Sequence, residues 1–194
     1  MKKRLIELLY EKSFKYSEEP VFKLVSGRMS NYYVNCKTVT LHPEGLYLIG
    51  NIIFDMIQAL PVKAVGGLTL GADPIADAIA YTSHVKGKPI EAFVVRKNAK
   101  SHGTMQWIEG NVKPGDGVVI VDDVITTGKS TIEAINRARE AGLVIVKVVA
   151  LVDRQEGGYE AVAAALQDIK ADYRIVEAVV TREELMVLHL SKNR

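Results

Sequence analysis

Residues 118–130 read Val-Val-Ile-Val-Asp-Asp-Val-Ile-Thr-Thr-Gly-Lys-Ser, and this stretch constrains the chain more than any other. Four consecutive β-branched apolar residues, Val118 to Val121, predict a strand buried on both faces. Asp122 and Asp123 stand at its C-terminal end. Thr126-Thr127-Gly128 makes a turn, and Ile132, Ile135 and Ala138 then recur at helical spacing. Strand, acid pair, hydroxyl- and glycine-containing turn, helix: this order builds a phosphate-sized anion site at a helix N-terminus, where free N–H groups and the helix dipole favour negative charge. The two aspartates repel a phosphate. They suit the hydroxyls of an attached ribose, or a cation.

Two other readings compete for parts of this stretch. Gly128-Lys129-Ser130 could end a nucleotide-binding P-loop, but that loop needs glycine where Asp123 stands, so the NTPase reading is rejected. Ser130-Thr131-Ile132-Glu133 fits a helix capping box, so Ser130 reads equally well as a cap and as a phosphate ligand. Capping leaves Asp122 and Asp123 unexplained, because carboxylates at the end of a buried strand are costly without partners. The contiguous apolar run, acid pair and Thr-Thr-Gly resemble the phosphoribosyl-pyrophosphate motif of the type I phosphoribosyltransferases.

The 194 residues suffice for one domain with a sizeable core, and 48% hydrophobic with 25% charged residues is ordinary for a globular protein. A net charge of +2 is too small to imply a nucleic-acid partner. The single cysteine, Cys36, excludes an internal disulfide and fits a reducing, cytoplasmic setting. The basic start Met1-Lys2-Lys3-Arg4 precedes an apolar run broken by Glu7, too short for a signal peptide, and no run approaches a membrane span. The four histidines, His42, His84, His102 and His189, show no metal-ligand spacing.

Along the chain, Leu5, Ile6, Leu8 and Leu9 predict a short amphipathic helix, and residues 21–35 two short strands around Ser26-Gly27. A helix is expected from Pro43, with Leu46, Ile49, Ile53, Ile57 and Leu60 on one face and Pro61 ending it. Strands then alternate with helices: strand to Gly67, helix 74–81, strand 90–96, a polar irregular stretch 99–110, strand 118–123, helix 130–141, strand 143–152, helix 159–166, strand 173–180, helix 182–190. Alternation of this kind argues an α/β fold with a parallel sheet, helices on both faces and ligands beyond the carboxyl ends of the strands. Gly67, Asp122 with Asp123, and Asp153 with Arg154 all fall at such ends. Residues 1–40 are expected to form a small subdomain over the sheet and 41–194 the α/β core of a single domain.

Four further segments extend the resemblance. Gly66-Gly67-Leu68-Thr69-Leu70-Gly71-Ala72-Asp73-Pro74, by itself an ordinary strand-to-helix turn, looks like the superfamily's pyrophosphate-binding loop. Arg96-Lys97-Asn98-Ala99-Lys100-Ser101-His102-Gly103 resembles the catalytic loop of orotate phosphoribosyltransferases; otherwise it would read as a solvated cationic face. Val152-Asp153-Arg154-Gln155-Glu156-Gly157-Gly158 resembles the segment of that family whose arginine holds the orotate carboxylate, a task suited to a planar guanidinium. Ser26-Gly27-Arg28-Met29-Ser30-Asn31-Tyr32-Tyr33 resembles its N-terminal base-binding segment. One departure stands out. Some members carry lysine just before Ser-Gly-Arg, whereas this chain has Val25, with Lys23 two residues earlier on the same strand face.

The resemblance implies a type I phosphoribosyltransferase core (Rossmann-like) with an N-terminal hood. It also implies transfer of 5-phosphoribose from phosphoribosyl pyrophosphate to orotate, in de novo pyrimidine biosynthesis. It assigns catalysis to Lys100, His102, Asp122 and Asp123. Phosphoribosyl pyrophosphate falls to Arg96, Lys97, Lys100, His102, Asp122, Asp123, Thr126, Thr127, Gly128, Lys129 and Ser130, and orotate to Tyr33, Val34, Thr126 and Arg154. Magnesium (Mg2+) is expected through pyrophosphate and ribose oxygens, without a protein metal site. A homodimer is expected, with loop 97–109 shared between subunits. The rivals are the same chemistry on another base, or a non-catalytic regulator of the same fold that senses phosphoribosyl pyrophosphate.

Overall fold

The structure is a computed structural model and describes residues 1–23, 27, 29–98 and 107–193. The N-terminal part comprises helix α1 (Lys2–Lys12), strands β1 (Phe14–Tyr16), β2 (Phe22–Lys23), β3 (Met29–Ser30) and β4 (Tyr32–Val34), and the short helix α2 (Lys37–Thr40). The remainder runs α3 (Pro43–Ile57), β5 (Ala64–Leu68), α4 (Asp73–Val85), β6 (Glu91–Val95), β7 (Ile108–Gly110), β8 (Gly117–Ile125), α5 (Lys129–Glu140), β9 (Val144–Asp153), α6 (Gly158–Ala164), β10 (Val176–Thr181) and α7 (Arg182–Lys192).

Six strands form the central sheet in the order β10-β9-β8-β5-β6-β7. All neighbours are parallel except β6 and β7. The chain lays down β5 and β6, then returns to the other side of β5 to place β8. The connections therefore reverse direction between β5 and β8, and the crevice beyond their carboxyl ends is where an open sheet of this kind takes a ligand. Strand β8 supplies both cores by alternation: Val119 and Val121 pack with α1, α3, α4 and the N-terminal segment, Val118 and Ile120 with α5 and α6. Leu5, Leu8, Leu9, Phe14, Tyr32 and Val34 share the first of these clusters, so the N-terminal segment is sealed onto the sheet by a common apolar core.

Several expectations need correction. Ile108–Gly110, read as irregular, is the antiparallel edge strand β7, paired with Phe93–Val95. At three residues on an edge it carries no alternation that a sequence could display. Strand β1 was not anticipated; it pairs antiparallel with β4, while β2 and β3 form the expected two-stranded ribbon. Helix α3 starts at Pro43 as expected but ends at Ile57, leaving Leu60 outside, and its buried face includes Leu48. Ser130 does not cap α5: Gly128, at φ 78°, is the N-cap residue and no side chain caps that helix. The capping box that does form is Thr181 with Glu184, at the start of α7. Among the described residues, no helix is long and apolar enough to cross a membrane.

Candidate active site

Asp122 and Asp123 lie in the C-terminal half of β8, each only 6% exposed. Asp122 accepts hydrogen bonds from Thr131 Oγ1 at 2.6 Å and Ser130 Oγ at 2.9 Å, both from the first turn of α5. Burial pushes the Asp122 carboxyl up to about 6, with the charge of Asp123 adding to the rise and the Thr131 and Ser130 hydroxyls opposing it. Asp123 instead has Lys37 Nζ of α2 at 3.2 Å from its Oδ2. The adjoining acids thus differ in surroundings: Asp122 is held by hydroxyls from inside, Asp123 by a half-exposed lysine at the crevice.

The loop after β5 closes over this pair. A Cβ on Gly71 would sit 2.6 Å from Asp123 Oδ1, so only glycine lets the backbone come so near the carboxylate. The loop is tied down by Thr69, whose N–H donates to the Val95 carbonyl at 2.9 Å and whose hydroxyl donates to Asp73 at 2.7 Å. The Thr69–Leu70 peptide is cis. Thr69 also lines a cavity of about 380 Å³ with Val94, Arg96, Lys97, Asn98 and Glu109, which brings Arg96 and Lys97 beside the loop. Arg96 pairs with Glu109 at 3.2 Å. Lys100 and His102 lie outside the described residues, as do Val25 and Arg28.

On the other side of the acid pair, the turn Thr126–Ser130 joins β8 to α5. Gly128 and Gly158 approach one another so closely that a Cβ on Gly128 would lie 2.8 Å from the Gly158 carbonyl, and one on Gly158 2.8 Å from the Gly128 nitrogen. The start of α6 is therefore packed directly under this turn. The first-turn N–H groups of Lys129, Ser130 and Thr131 have no partner within the helix by α-helical geometry, and they open toward the crevice with the positive end of the dipole.

Arg154 closes the site from β9. Its backbone N–H donates to the Ile125 carbonyl at 3.0 Å, which sets it beside Thr126. The residue is 6% exposed, with its guanidinium 4.7 Å from the Tyr32 ring centre. Nη2 lies 3.0 Å from Glu156 Oε1 as an ion pair, yet neither Nη2 nor Nε makes an aligned hydrogen bond among the described residues. Buried guanidinium N–H groups left so are costly. Tyr32 donates its hydroxyl to Glu156 at 2.5 Å, and burial, reinforced by that bond, raises its pKa, so the phenol stays protonated.

Of the residues expected to touch orotate, Arg154 and Thr126 meet at this end of the sheet. Val34 is buried in the core, and Tyr33 is exposed on the opposite face of β4, stacked on Phe22 with ring centres 6.1 Å apart. Tyr32, not singled out by the sequence, is the aromatic residue against Arg154. The alternation of β4 could have separated Tyr32 from Tyr33, but not told which face looks inward. Lys37 and Glu156 were also missed.

Acid pair, glycine loop and the N-terminal turn of α5 thus converge on one crevice at the carboxyl ends of β5 and β8. Residues 42–179 match the phosphoribosyl transferase domain. The chain belongs to the phosphoribosyltransferase family. The particular relatives are orotate phosphoribosyltransferases. That of Aquifex aeolicus is 48% identical over 159 residues, 82% of this chain and 87% of the relative. That of a Nostoc species is 41% identical over 95% of this chain and 88% of its own length. Among solved structures, Mycobacterium tuberculosis orotate phosphoribosyltransferase in complex with phosphoribosyl pyrophosphate superposes with a TM-score of 0.75 at 34% identity, covering 95% of this chain and 98% of that one.

Proposed function

We propose that this protein transfers 5-phosphoribose from phosphoribosyl pyrophosphate to a ring nitrogen of orotate, giving orotidine 5′-phosphate and pyrophosphate in de novo pyrimidine biosynthesis. The observation that carries the choice of base is Arg154: a buried guanidinium with two nitrogens that lack hydrogen bonds among the described residues, backed by Tyr32 and steered by Glu156. A base bearing a carboxylate satisfies that fork; adenine, hypoxanthine and uracil do not. Residues 1–40 serve as the hood that brings Tyr32 over the base, and 41–194 as the core.

The 5′-phosphate rests on the turn formed by Thr126, Thr127, Gly128, Lys129 and Ser130, against the dipole of α5. Asp122 and Asp123 take the ribose hydroxyls. As the bond from the anomeric carbon to pyrophosphate breaks, positive charge develops on the ribose, and two fixed carboxylates within reach favour it. Arg96 and Lys97, with Lys100 and His102, meet the charge gathering on the leaving pyrophosphate. Thr126 and Arg154 hold orotate so that its ring nitrogen meets the anomeric carbon on the side opposite the leaving pyrophosphate. Catalysis is then positioning and electrostatics, with no covalent intermediate on the protein.

Magnesium is the expected companion of the pyrophosphate. Among the described residues, no cluster of three histidine, cysteine or acidic groups could hold a metal, and both aspartates already have partners. Hard oxygens without a cage fit an ion that arrives on the substrate and keeps most of its ligands there. When bound, it supplies charge neutralisation of the pyrophosphate oxygens. A homodimer sharing loop 97–109 and a cytoplasmic location belong to the same reading.

The test is the loss of orotate absorbance with phosphoribosyl pyrophosphate and magnesium, with adenine, hypoxanthine and uracil alongside. Orotate should be consumed with stoichiometric release of pyrophosphate. Turnover of a base without a carboxylate at a comparable rate would reject the assignment of the base.

A further inference from the structure

The acid pair has a cation of its own that the transfer, as set out so far, does not use. Lys37 Nζ lies 3.2 Å from Asp123 Oδ2, and the lysine side chain is 50% exposed while that of Asp123 is 8% exposed. Its backbone is fixed. Lys37 opens α2, whose Val39 and Thr40 are fully buried, and its N–H donates to Asn35 Oδ1 at 3.3 Å. Only the four-carbon stem is left to move, and a lysine stem is long and flexible enough to carry its charge several ångströms.

The loop after β5 flanks the same carboxylate from the other side, Gly71 against Oδ1 and Lys37 against Oδ2. Lys37 and that loop are thus separated by little more than one carboxylate. The loop has no positive charge: in Gly66-Gly67-Leu68-Thr69-Leu70-Gly71-Ala72-Asp73 the one ionisable side chain is Asp73, which already accepts from Thr69. A pyrophosphate held there finds backbone groups but no cation from the loop itself.

Charge balance gives Lys37 two positions. Without substrate, the ammonium offsets a carboxylate buried beside a second one. During transfer it cannot stay where it is, since a cation beside the anomeric carbon opposes the positive charge developing there. Ribose hydroxyls displace it from Asp123, and the nearest developing negative charge is on the leaving pyrophosphate. Resting on the phosphoribosyl transfer set out above, we propose that Lys37 is a further substrate-binding residue. It pairs with Asp123 in the free protein and passes to the pyrophosphate group when the ribose takes that carboxylate.

The test separates pyrophosphate from the other ligands. Lys37→Ala, Lys37→Gln and Lys37→Arg are compared with wild type in the reverse reaction, with orotidine 5′-phosphate and magnesium pyrophosphate varied in turn. Magnesium pyrophosphate binding is also measured by calorimetry in the presence of ribose 5-phosphate. The binding arm contains no base, so it reads Lys37 even if orotate proves not to be the acceptor; failure of the orotate assay alone would strike the assignment of the base. In Lys37→Ala and Lys37→Gln, KM and Kd for pyrophosphate should rise about 10- to 100-fold, the size of one lost charge-assisted contact, with KM for orotidine 5′-phosphate within about twofold. Lys37→Arg should recover most of the loss. Unchanged pyrophosphate binding overturns the proposal. So does equal weakening of pyrophosphate and orotidine 5′-phosphate, which would make Lys37 a support for Asp123 alone.

Discussion

The hydroxyl of Tyr32 donates to Glu156 at 2.5 Å, joining strand β4 of the N-terminal segment to the loop after β9. The same Tyr32 ring carries the Arg154 guanidinium at 4.7 Å. Tyr32 and Arg154 thus both engage Glu156, and its bond to Tyr32 restrains it from closing fully on Arg154. Tyr32→Phe keeps the ring and removes that bond. Glu156 should then compete for Arg154, raising KM for orotate about 5- to 10-fold, the worth of one hydrogen bond of roughly 1 kcal/mol. KM for phosphoribosyl pyrophosphate should stay within about twofold. Initial rates with each substrate varied decide it; parallel changes in both would contradict this role for Tyr32.

In the proposed transfer, Asp122 should make activity and stability respond oppositely to pH. Burial holds its folded-state pKa near 6, above the ordinary 3.8 of the unfolded chain. Between those values the folded state keeps a proton that the unfolded state has lost, so this group's contribution falls as pH rises through the window, and the ionised carboxylate costs stability above it. Activity needs the ionised form, so kcat/KM for phosphoribosyl pyrophosphate should climb through the same window. Asp122→Asn removes the titration. Urea unfolding at about pH 4 and about pH 7.5 should show the variant gaining roughly 1–3 kcal/mol on wild type as pH rises. A stability difference that does not change with pH would show that Asp122 is not held protonated by burial.

Gly71→Ala should injure the site while sparing the fold. The added methyl would meet Asp123 Oδ1 at 2.6 Å, so either the loop or the carboxylate must shift. Neither Gly71 nor Asp123 belongs to an apolar cluster, and thermal unfolding should move by no more than about 2 °C, a surface-scale change. Because a displacement of about 1 Å at a reacting group can cost about a hundredfold in rate, kcat/KM for phosphoribosyl pyrophosphate should fall at least tenfold. Wild-type kinetics in Gly71→Ala would mean the loop does not need its close approach to the acid pair.

Much of the architecture was legible because its signal is local. The apolar run 118–121, the acid pair and the glycine turn are contiguous, and helix and strand periods alternate cleanly from Pro43 onward. What escaped was set by distant pairing. Strand β7 exists because β6 offers it an edge. Ser130 turns to Asp122 instead of capping α5 because a buried carboxylate eight residues earlier in the chain needs a donor more than the helix end does. Lys37 meets Asp123 across 86 residues, and Tyr32 meets Glu156 across 124, so neither pair leaves a trace in spacing. The chemistry of single residues, such as the fork of Arg154, could be read in advance; which neighbours orient them could not.

The proposed sharing of sites between two subunits has a direct functional test. Asp123→Asn and Lys100→Ala each should abolish most activity alone. If Lys100 serves the neighbouring subunit, mixing the two chains under subunit exchange creates heterodimers with one site free of both lesions. Random pairing then restores about a quarter of all sites, by two-fold symmetry. If the loop serves its own subunit, every site keeps a lesion and nothing is restored. Activity at the level of the separate variants, with exchange confirmed by mass spectrometry of tagged chains, would reject sharing.

In the proposed transfer, Arg154 reads a carboxylate on the acceptor base. This is tested most directly by the ratio of kcat/KM for orotate to that for uracil, a base of the same ring lacking the carboxylate, in wild type and Arg154→Ala. One charge-assisted contact is worth roughly 1.5–3 kcal/mol, so the ratio should collapse about 10- to 100-fold in the variant. The loss should fall on orotate, while uracil and phosphoribosyl pyrophosphate are little changed. An orotate-to-uracil ratio preserved in Arg154→Ala, with both rates lowered alike, would contradict the account.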